Sequence, residues 1–333
     1  MKKVIIIGNG VLGICTAYYL TKAGFDVHIV TASHEGSHED CSYGNAGMVV
    51  PSHFIPLAAP GVIKQGLKWM FDNKSPFFIR PRFNRDLIYW LYKFYTSANQ
   101  KNVDRSMSLM KDLNLASRDL FETLQTQEEI DFSFEKKGLL MLYKTAKYQD
   151  SEEALAEKAK KLGLTVAIHS KEKLSDLEKA LSPNAIGGVL YQSDAHLNPN
   201  QFMVEMQNLL KSKGVKFHYS TPIIAFETHN GKIEGVNTSI GKLKADEFVL
   251  CAGTWSAELA KSLGIKIPLQ GGKGYSLTIN DVPTNLVHPS ILCEAKIAMT
   301  PLGNNLRVGG TMEIAGKDLS INEKRINGIK EQV

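Results

Sequence analysis

The chain has 333 residues, 43% of them hydrophobic and 22% charged, a balance ordinary for a soluble globular protein. That excludes a disordered tail, a collagen-like repeat and a small disulfide scaffold, and the length suits about two domains. The net charge of +5, from 39 basic and 34 acidic residues, is weak evidence for nucleic-acid binding, which concentrates basic charge on one face. Cys15, Cys41, Cys251 and Cys293 contain no C-x-x-C pair and have no histidine placed to complete a zinc pattern, so they read as isolated thiols with no metal.

At the N-terminus, Lys2 and Lys3 precede an uncharged run, Val4 to Leu20, with the outline of a secretory leader. Gly8, Asn9, Gly10 and Gly13 interrupt it, no A-x-A site follows, and the run is short for a membrane span. Val4-Ile5-Ile6-Ile7 reads instead as a buried parallel strand. Gly8-Asn9-Gly10-Val11-Leu12-Gly13 then supplies G-x-G-x-x-G, followed by a helix that Gly24 stops and by a second strand, Val27 to Val30. In this strand–turn–helix–strand context the motif predicts dinucleotide binding. Gly8 permits the tight turn, Gly10 lets backbone approach a pyrophosphate, and Gly13 brings the helix close to the strand. The N–H groups of Val11, Leu12 and Gly13 open the helix toward the phosphates. The acidic residue that normally ends the second strand and holds the ribose is replaced by Thr31, a neutral acceptor.

The loop Ser33 to Asp40 carries His34, Glu35, His38, Glu39 and Asp40 and reads as a solvated polar loop rather than a metal site. A second stretch of small residues runs from Cys41 to Pro51. Residues 56 to 100 mix Trp69, Phe71, Phe77, Phe78, Phe83, Tyr89, Trp90, Tyr92, Phe94 and Tyr95 with Lys68, Arg80, Arg82 and Arg85. Inward packing is the first expectation there, and contact with a membrane surface the second. Apolar positions at helical spacing follow over 104–127. A charged amphipathic helix over 151–162 ends at Gly163. Asn198-Pro199 opens a further helix running to about Ser212. Val215 to Tyr219 is a strand, and Ile223–Thr228 with Lys232–Val236 form a hairpin across Asn230-Gly231. An apolar strand from Asp246 enters a glycine turn at Cys251-Ala252-Gly253, with Thr254 expected to cap the next helix.

Several of these blocks together resemble the FAD-dependent D-amino-acid oxidase superfamily, most nearly the small subunits of the bacterial D-amino-acid dehydrogenases. Ser42, Asn45, Ala46 and Gly47, followed by Met48, match an S-x-x-N-A-G stretch that lines the FAD in that group. Ala252-Gly253-Thr254-Trp255-Ser256 resembles its A-G-x-W-S turn, Lys273-Gly274-Tyr275-Ser276 its K-G-Y-S strand, and Arg307-Val308-Gly309-Gly310 its R-V-G-G segment. The resemblance implies an α/β fold, α+β overall. It implies a Rossmann-like FAD-binding domain with a parallel sheet (1–55 and 195–265) plus a mostly antiparallel substrate domain with helices (56–194 and 266–333). It implies FAD as cofactor, with Ile223 against the adenine through its backbone.

The implied reaction is oxidation of a D-amino acid to an imino acid by hydride transfer to flavin, with electrons passed to a membrane acceptor. Such a protein would be cytoplasmic or held at the inner face of the cell membrane. Glycine, sarcosine or hydroxyproline oxidation on the same scaffold, and a non-catalytic flavin-binding fragment, are the alternatives. The substrate carboxylate requires a cation. Arg307 is the first candidate and Lys273 the second, with Tyr275 hydrogen-bonding the same group and His53 facing the amine. Pro301 stands where many relatives carry Arg. Relatives continue past R-V-G-G to a G-H-G turn that this chain lacks, so the resemblance implies a C-terminally shortened chain with an open flavin site and impaired activity.

Overall fold

The computed structural model describes residues 1–70, 75–180 and 184–332; Phe71 of the aromatic stretch lies outside them. The elements run β1 (Lys3–Ile7), α1 (Val11–Lys22), β2 (Asp26–Val30), β3 (Met48–Val49), α2 (Val62–Trp69), β4 (Phe77–Ile79), α3 (Arg85–Ser97), α4 (Gln100–Glu128) and β5 (Leu139–Tyr143). Next come α5 (Ala146–Lys161), β6 (Val166–Ser170), α6 (Lys171–Leu177), β7 (Gly187–Tyr191), β8 (Ala195–His196), α7 (Pro199–Ser212), β9 (Lys216–His218), β10 (Ile223–His229) and β11 (Lys232–Thr238). The last are β12 (Gly241–Lys244), β13 (Glu247–Leu250), α8 (Ser256–Lys261), β14 (Lys273–Ile279), β15 (Ser290–Leu292), β16 (Ile297–Leu302), β17 (Asn305–Ile314) and α9 (Glu323–Lys330).

Two compact units result. The first joins Met1–Gly44 to Pro199–Gln270, and the second joins Asn45–Asn198 to Gly271–Val333. In the first, the β-branched run of β1 is buried and pairs in parallel with β13 on one side and β2 on the other, giving the order β13-β1-β2-β9. α1 lies against this strand, and Ile5 and Ile7 pack with Phe226, Val236 and Leu243, so both faces of β1 are buried, which is why the run is continuously apolar. α1 packs on β1, β2 and α7. It ends where Gly24 takes φ 85° and donates its N–H to the Thr21 carbonyl. Opposite, the antiparallel sheet β10-β11-β12 closes a core of Ile5, Ile7, Val30 and Val236 with Phe226, Leu243 and Leu250. Asn230 and Gly231 both adopt positive φ, 49° and 76°, as the expected hairpin turn requires.

The second unit is built on an eight-stranded mixed sheet, ordered β14-β17-β16-β15-β5-β7-β6 with β4 on β17. All its ladders are antiparallel except β15–β5 and β17–β4. Its larger core gathers Phe54, Leu139, Met141, Tyr143, Ala156, Val189, Tyr191 and Cys293.

Some expectations shift. The unit boundary falls at Gly44, so Asn45 to Met48 belong with the second unit, where β3 pairs with β8 and the Gly47 carbonyl accepts from Leu197 N–H. Thr254 is not a cap. It sits inside a single 3₁₀ turn, Gly253–Trp255, and α8 starts from Trp255 without a side-chain cap. α5 begins at Ala146, earlier than its charged face suggested. The aromatics of α3 do not pack inward as a set. Tyr89, Tyr92 and Tyr95 are 49%, 60% and 67% exposed, and only Leu87 of that helix is buried. Among the described residues no helix is long and apolar enough to cross a membrane.

Candidate cofactor and substrate site

In the first unit the three motif glycines interlock. Gly8 has φ 110°, and a Cβ placed on it would lie 2.4 Å from the Cys251 carbonyl oxygen. A Cβ on Gly13 would lie 2.0 Å from the Gly8 carbonyl oxygen. Gly8 and Gly13 therefore let α1, β1 and the turn at Cys251-Ala252 meet backbone to backbone. Gly10 is different: its Cβ would meet only Ser42 Oγ, at 3.2 Å. Gly10 is also the N-cap of α1, offers no side-chain cap, and is followed by no acidic residue in the first turn. Val11 N–H donates to Ser42 Oγ at 3.0 Å, which ties Ser42 to the start of the helix. Val11 and Leu12 are exposed there. A helix start without its own acidic residue suits an anion. The glycine cradle, which side chains would fill, thus fits the diphosphate of a dinucleotide.

Thr31 is buried. Its hydroxyl donates to Asn9 Oδ1 at 2.9 Å and accepts from Ser33 N–H at 3.2 Å. The group expected to meet a ribose therefore also locks the glycine turn to the end of β2. Thr31→Val, nearly the same shape, strips Asn9 Oδ1 of its donor. It is expected to lower unfolding stability by about 1–2 kcal/mol in a denaturant titration, while Thr31→Ser retains wild-type stability more closely. Ile223 opens β10 and pairs with Thr238, Gly253 has φ 53°, and Ala252 lies against Gly8. The polar loop is tied down locally: Glu35 pairs with Lys211 at 2.6 Å, His38 stacks on Tyr43, and Asp40 accepts from Ser42 N–H.

In the second unit the segment from Asn45 is held from several directions. Asn45 Oδ1 accepts from Gly47 N–H at 2.7 Å, and Gly47 takes φ 78°. The Asn45 carbonyl accepts from Arg307 Nη1 at 3.0 Å, while Arg307 Nε donates to Thr278 Oγ1 at 2.7 Å. Arg307 is buried, and desolvation pulls its guanidinium below the usual arginine range. Gly309, two residues on, lies alongside Ala46.

Lys273 and Tyr275 come together, but around one of the protein's own carboxylates. Tyr275 OH donates to buried Glu313 Oε2 at 2.9 Å and accepts from Asn322 N–H. Lys273 Nζ donates to the Ser320 carbonyl at 2.7 Å and lies 3.8 Å from Glu313. Desolvation, then Glu313, pushes the Tyr275 hydroxyl up to about 12. The structure thus gives both residues a fixed role in joining the 318–322 segment to β14 and β17.

His53 follows the same loop. It is reachable by solvent, yet desolvation by the surrounding protein, ahead of the charge of Lys296, lowers it to about 4. The imidazole is neutral near pH 7. Its Nδ1 lies 3.1 Å from Ser52 Oγ, and Ser52 is bound in turn to Asp194. Asn9, Ser52, Asp194 and Glu313 were not singled out by sequence. Asn9 and Ser52 adjoin flagged residues, whereas Asp194 and Glu313 carry no local signal.

A parallel sheet with a glycine-cradled helix start, set in a chain with a large mixed sheet, defines a dinucleotide-binding fold. Residues 3–333 match the family described as DAO, FAD dependent oxidoreductase. A D-amino acid dehydrogenase of Vibrio cholerae serotype O1 is 31% identical over 330 residues, covering 98% of this chain and 78% of that protein. One from Allorhizobium ampelinum is 34% identical over 322 residues, covering 94% and 76%. Among solved structures, glycine oxidase from Geobacillus kaustophilus has a TM-score of 0.75 at 18% identity, covering 100% of this chain and 77% of that one. L-proline dehydrogenase from P. horikoshii has a TM-score of 0.67 at 18% identity, covering 99% and 75%. The chain belongs to the DAO family of FAD-dependent oxidoreductases and is an enzyme of that class.

Proposed function

We propose that this enzyme binds FAD and oxidises the Cα–N bond of a D-amino acid to an imino acid, which water then hydrolyses, with electrons leaving for a respiratory acceptor at the membrane. The observation that carries the reading is identity of about 30% over nearly the whole chain to proteins named D-amino acid dehydrogenase. FAD, when bound, supplies the hydride acceptor. The residues proposed to hold it in the first unit are Gly8, Gly10, Val11, Leu12, Gly13, Thr31, Ser42, Ile223, Ala252 and Gly253. Asn45, Ala46, Gly47 and Met48 are proposed for the second unit.

The protein's own work is to align the substrate Cα and to match the charge of its carboxylate. Arg307 is proposed on the substrate side, holding the Asn45 backbone in place, and His53 is proposed to meet the amine. Lys273 and Tyr275 are proposed to support that side through Glu313. The exposed face of α3, with Tyr89, Tyr92 and Tyr95 beside Arg85 and Lys93, supports contact with an anionic membrane surface. The test is anaerobic mixing of the FAD-loaded protein with D-alanine, D-proline, glycine or sarcosine. Bleaching of the flavin band by a D-amino acid, faster than by glycine or sarcosine, is the expected result. Bleaching by glycine or sarcosine alone moves the enzyme to a different substrate class, and no bleaching by any of the four refutes the reading.

A further inference from the structure

Ser52 and Asp194 form a connection that the proposed reaction does not by itself require. Ser52 is 4% and Asp194 0% exposed. Ser52 N–H donates to Asp194 Oδ1 at 3.0 Å, and Ser52 Oγ donates to Asp194 Oδ2 at 2.5 Å. The carboxylate is thereby held at both oxygens by one residue. Asp194 is fixed by its backbone as well, since its carbonyl accepts from Gly138 N–H at 3.0 Å and it immediately precedes β8. On the other side of Ser52, Oγ lies 3.1 Å from His53 Nδ1.

A serine hydroxyl has one hydrogen. With Asp194 ionised, that hydrogen is committed to Oδ2, so the contact with His53 works only if Nδ1 carries the donor hydrogen. A neutral imidazole has one N–H, and the second nitrogen must then be a bare acceptor. We propose that Asp194 and Ser52 are positioning residues that hold His53 in its Nδ1–H form and so turn Nε2 into a hydrogen-bond acceptor for an N–H of the substrate. The tautomer follows from the hydrogen bonds once Asp194 is ionised; its use on substrate rests on the function proposed above. An acceptor at this point favours substrates with an amine hydrogen to donate and disfavours those that present only oxygen lone pairs.

The amide variant gives a sharp reversal. In Asp194→Asn, Ser52 N–H still needs an acceptor, so the amide oxygen stays on it. The amide NH₂ must then face Ser52 Oγ and donate to it. Ser52 in turn donates to His53 Nδ1, and the imidazole hydrogen moves to Nε2. Shape and volume barely change, but the outward nitrogen switches from acceptor to donor.

The experiment is ¹⁵N NMR of histidine-labelled, FAD-loaded protein at pH 8.5, with the His53 signals assigned by their loss in His53→Gln. That pH lies above the titration of Asp194, which burial raises to about 7 against the opposing pull of Ser52 and Arg118. Wild type is expected to show Nδ1–H, Asp194→Asn to show Nε2–H, and Ser52→Ala to lose the Nδ1–H preference. A wild-type His53 in the Nε2–H form, or an Asp194→Asn protein with an unchanged tautomer, overturns the proposal. Because wild type alone is decisive, a variant that fails to fold leaves the test intact. In kinetics, Asp194→Asn is expected to raise KM for a D-amino acid about ten-fold, the effect of one hydrogen bond turned from favourable to opposed, at unchanged flavin content. A reversed tautomer with unchanged KM overturns the substrate half. Failure of D-amino acids to bleach wild-type flavin strikes the proposed function and leaves the tautomer result standing.

Discussion

Gly13→Ala is expected to produce a protein that retains no flavin and unfolds well below the wild-type temperature. The added Cβ would sit 2.0 Å from the Gly8 carbonyl oxygen and 3.0 Å from its carbon, and both are backbone atoms that cannot rotate aside. α1 would have to lift from β1, disturbing buried Ile14, Ala17 and Tyr18. Overpacking of this kind costs about 1–3 kcal/mol, and more where backbone is the obstacle. The lift also displaces the N–H groups that start the helix, so cofactor retention falls with stability. Gly24→Ala is the control. Gly24 has φ 85° but nothing within 4 Å of its added Cβ, so only the left-handed backbone strain of about 1–2 kcal/mol is expected, with flavin retained. Calorimetry and the flavin absorbance of the purified proteins measure both. A Gly13→Ala protein with normal melting and full flavin content contradicts the backbone-to-backbone packing described here.

Arg307→Ala is expected to cost about 3 kcal/mol of stability as well as activity. The side chain is buried, and its loss strips the Asn45 carbonyl and Thr278 of a donor while leaving a hole between them. Arg307→Lys keeps the charge but not the fork. One ammonium cannot reproduce the separate directions to Asn45 and Thr278, so it should recover only part of the loss. This pair of variants separates two roles. If Arg307 only met a substrate carboxylate, Ala would raise KM at an unchanged melting temperature. If it holds the loop, melting temperature and flavin content fall together with kcat/KM. Melting curves and steady-state kinetics on the same samples decide between them.

The parts of this fold legible in sequence are those whose physics is local. The strand–glycine–helix unit could be read because β-branched continuity, backbone approach and helix stops each leave a mark within a few residues. The Asn230-Gly231 hairpin could be read because few residue pairs accept two positive φ angles in succession. The start of α7 was announced by Pro199 at its first turn. Thr254 misled because a good capping residue was available where the chain makes a 3₁₀ turn first. The aromatics of α3 misled because Tyr89, Tyr92 and Tyr95 recur at helical spacing, and spacing alone does not say which way a face points. The environment of His53 was out of reach for a different reason. Ser52 and Asp194 are 142 residues apart, and nothing near Asp194 marks it as a partner. Likewise Glu313, 38 residues from Tyr275, redirects a tyrosine that the sequence offered to a substrate.

The pairing of β1 with β13 also bears on how the protein comes into being. Lys3 and Asp246, which share a hydrogen bond across that seam, are 243 residues apart. At about 5–20 residues per second, a ribosome needs roughly 12–50 s to travel between them. For that interval Ile5, Ile6 and Ile7 have β2 on one edge but no neighbour on the other, and Gly8 has no Cys251 to rest against. An apolar edge held open so long invites pairing with other chains, so the nascent protein should depend on a chaperone more than its finished stability would suggest. The glycine cradle is complete only once β13 arrives, so acquisition of the cofactor must wait until the chain has been made past Cys251.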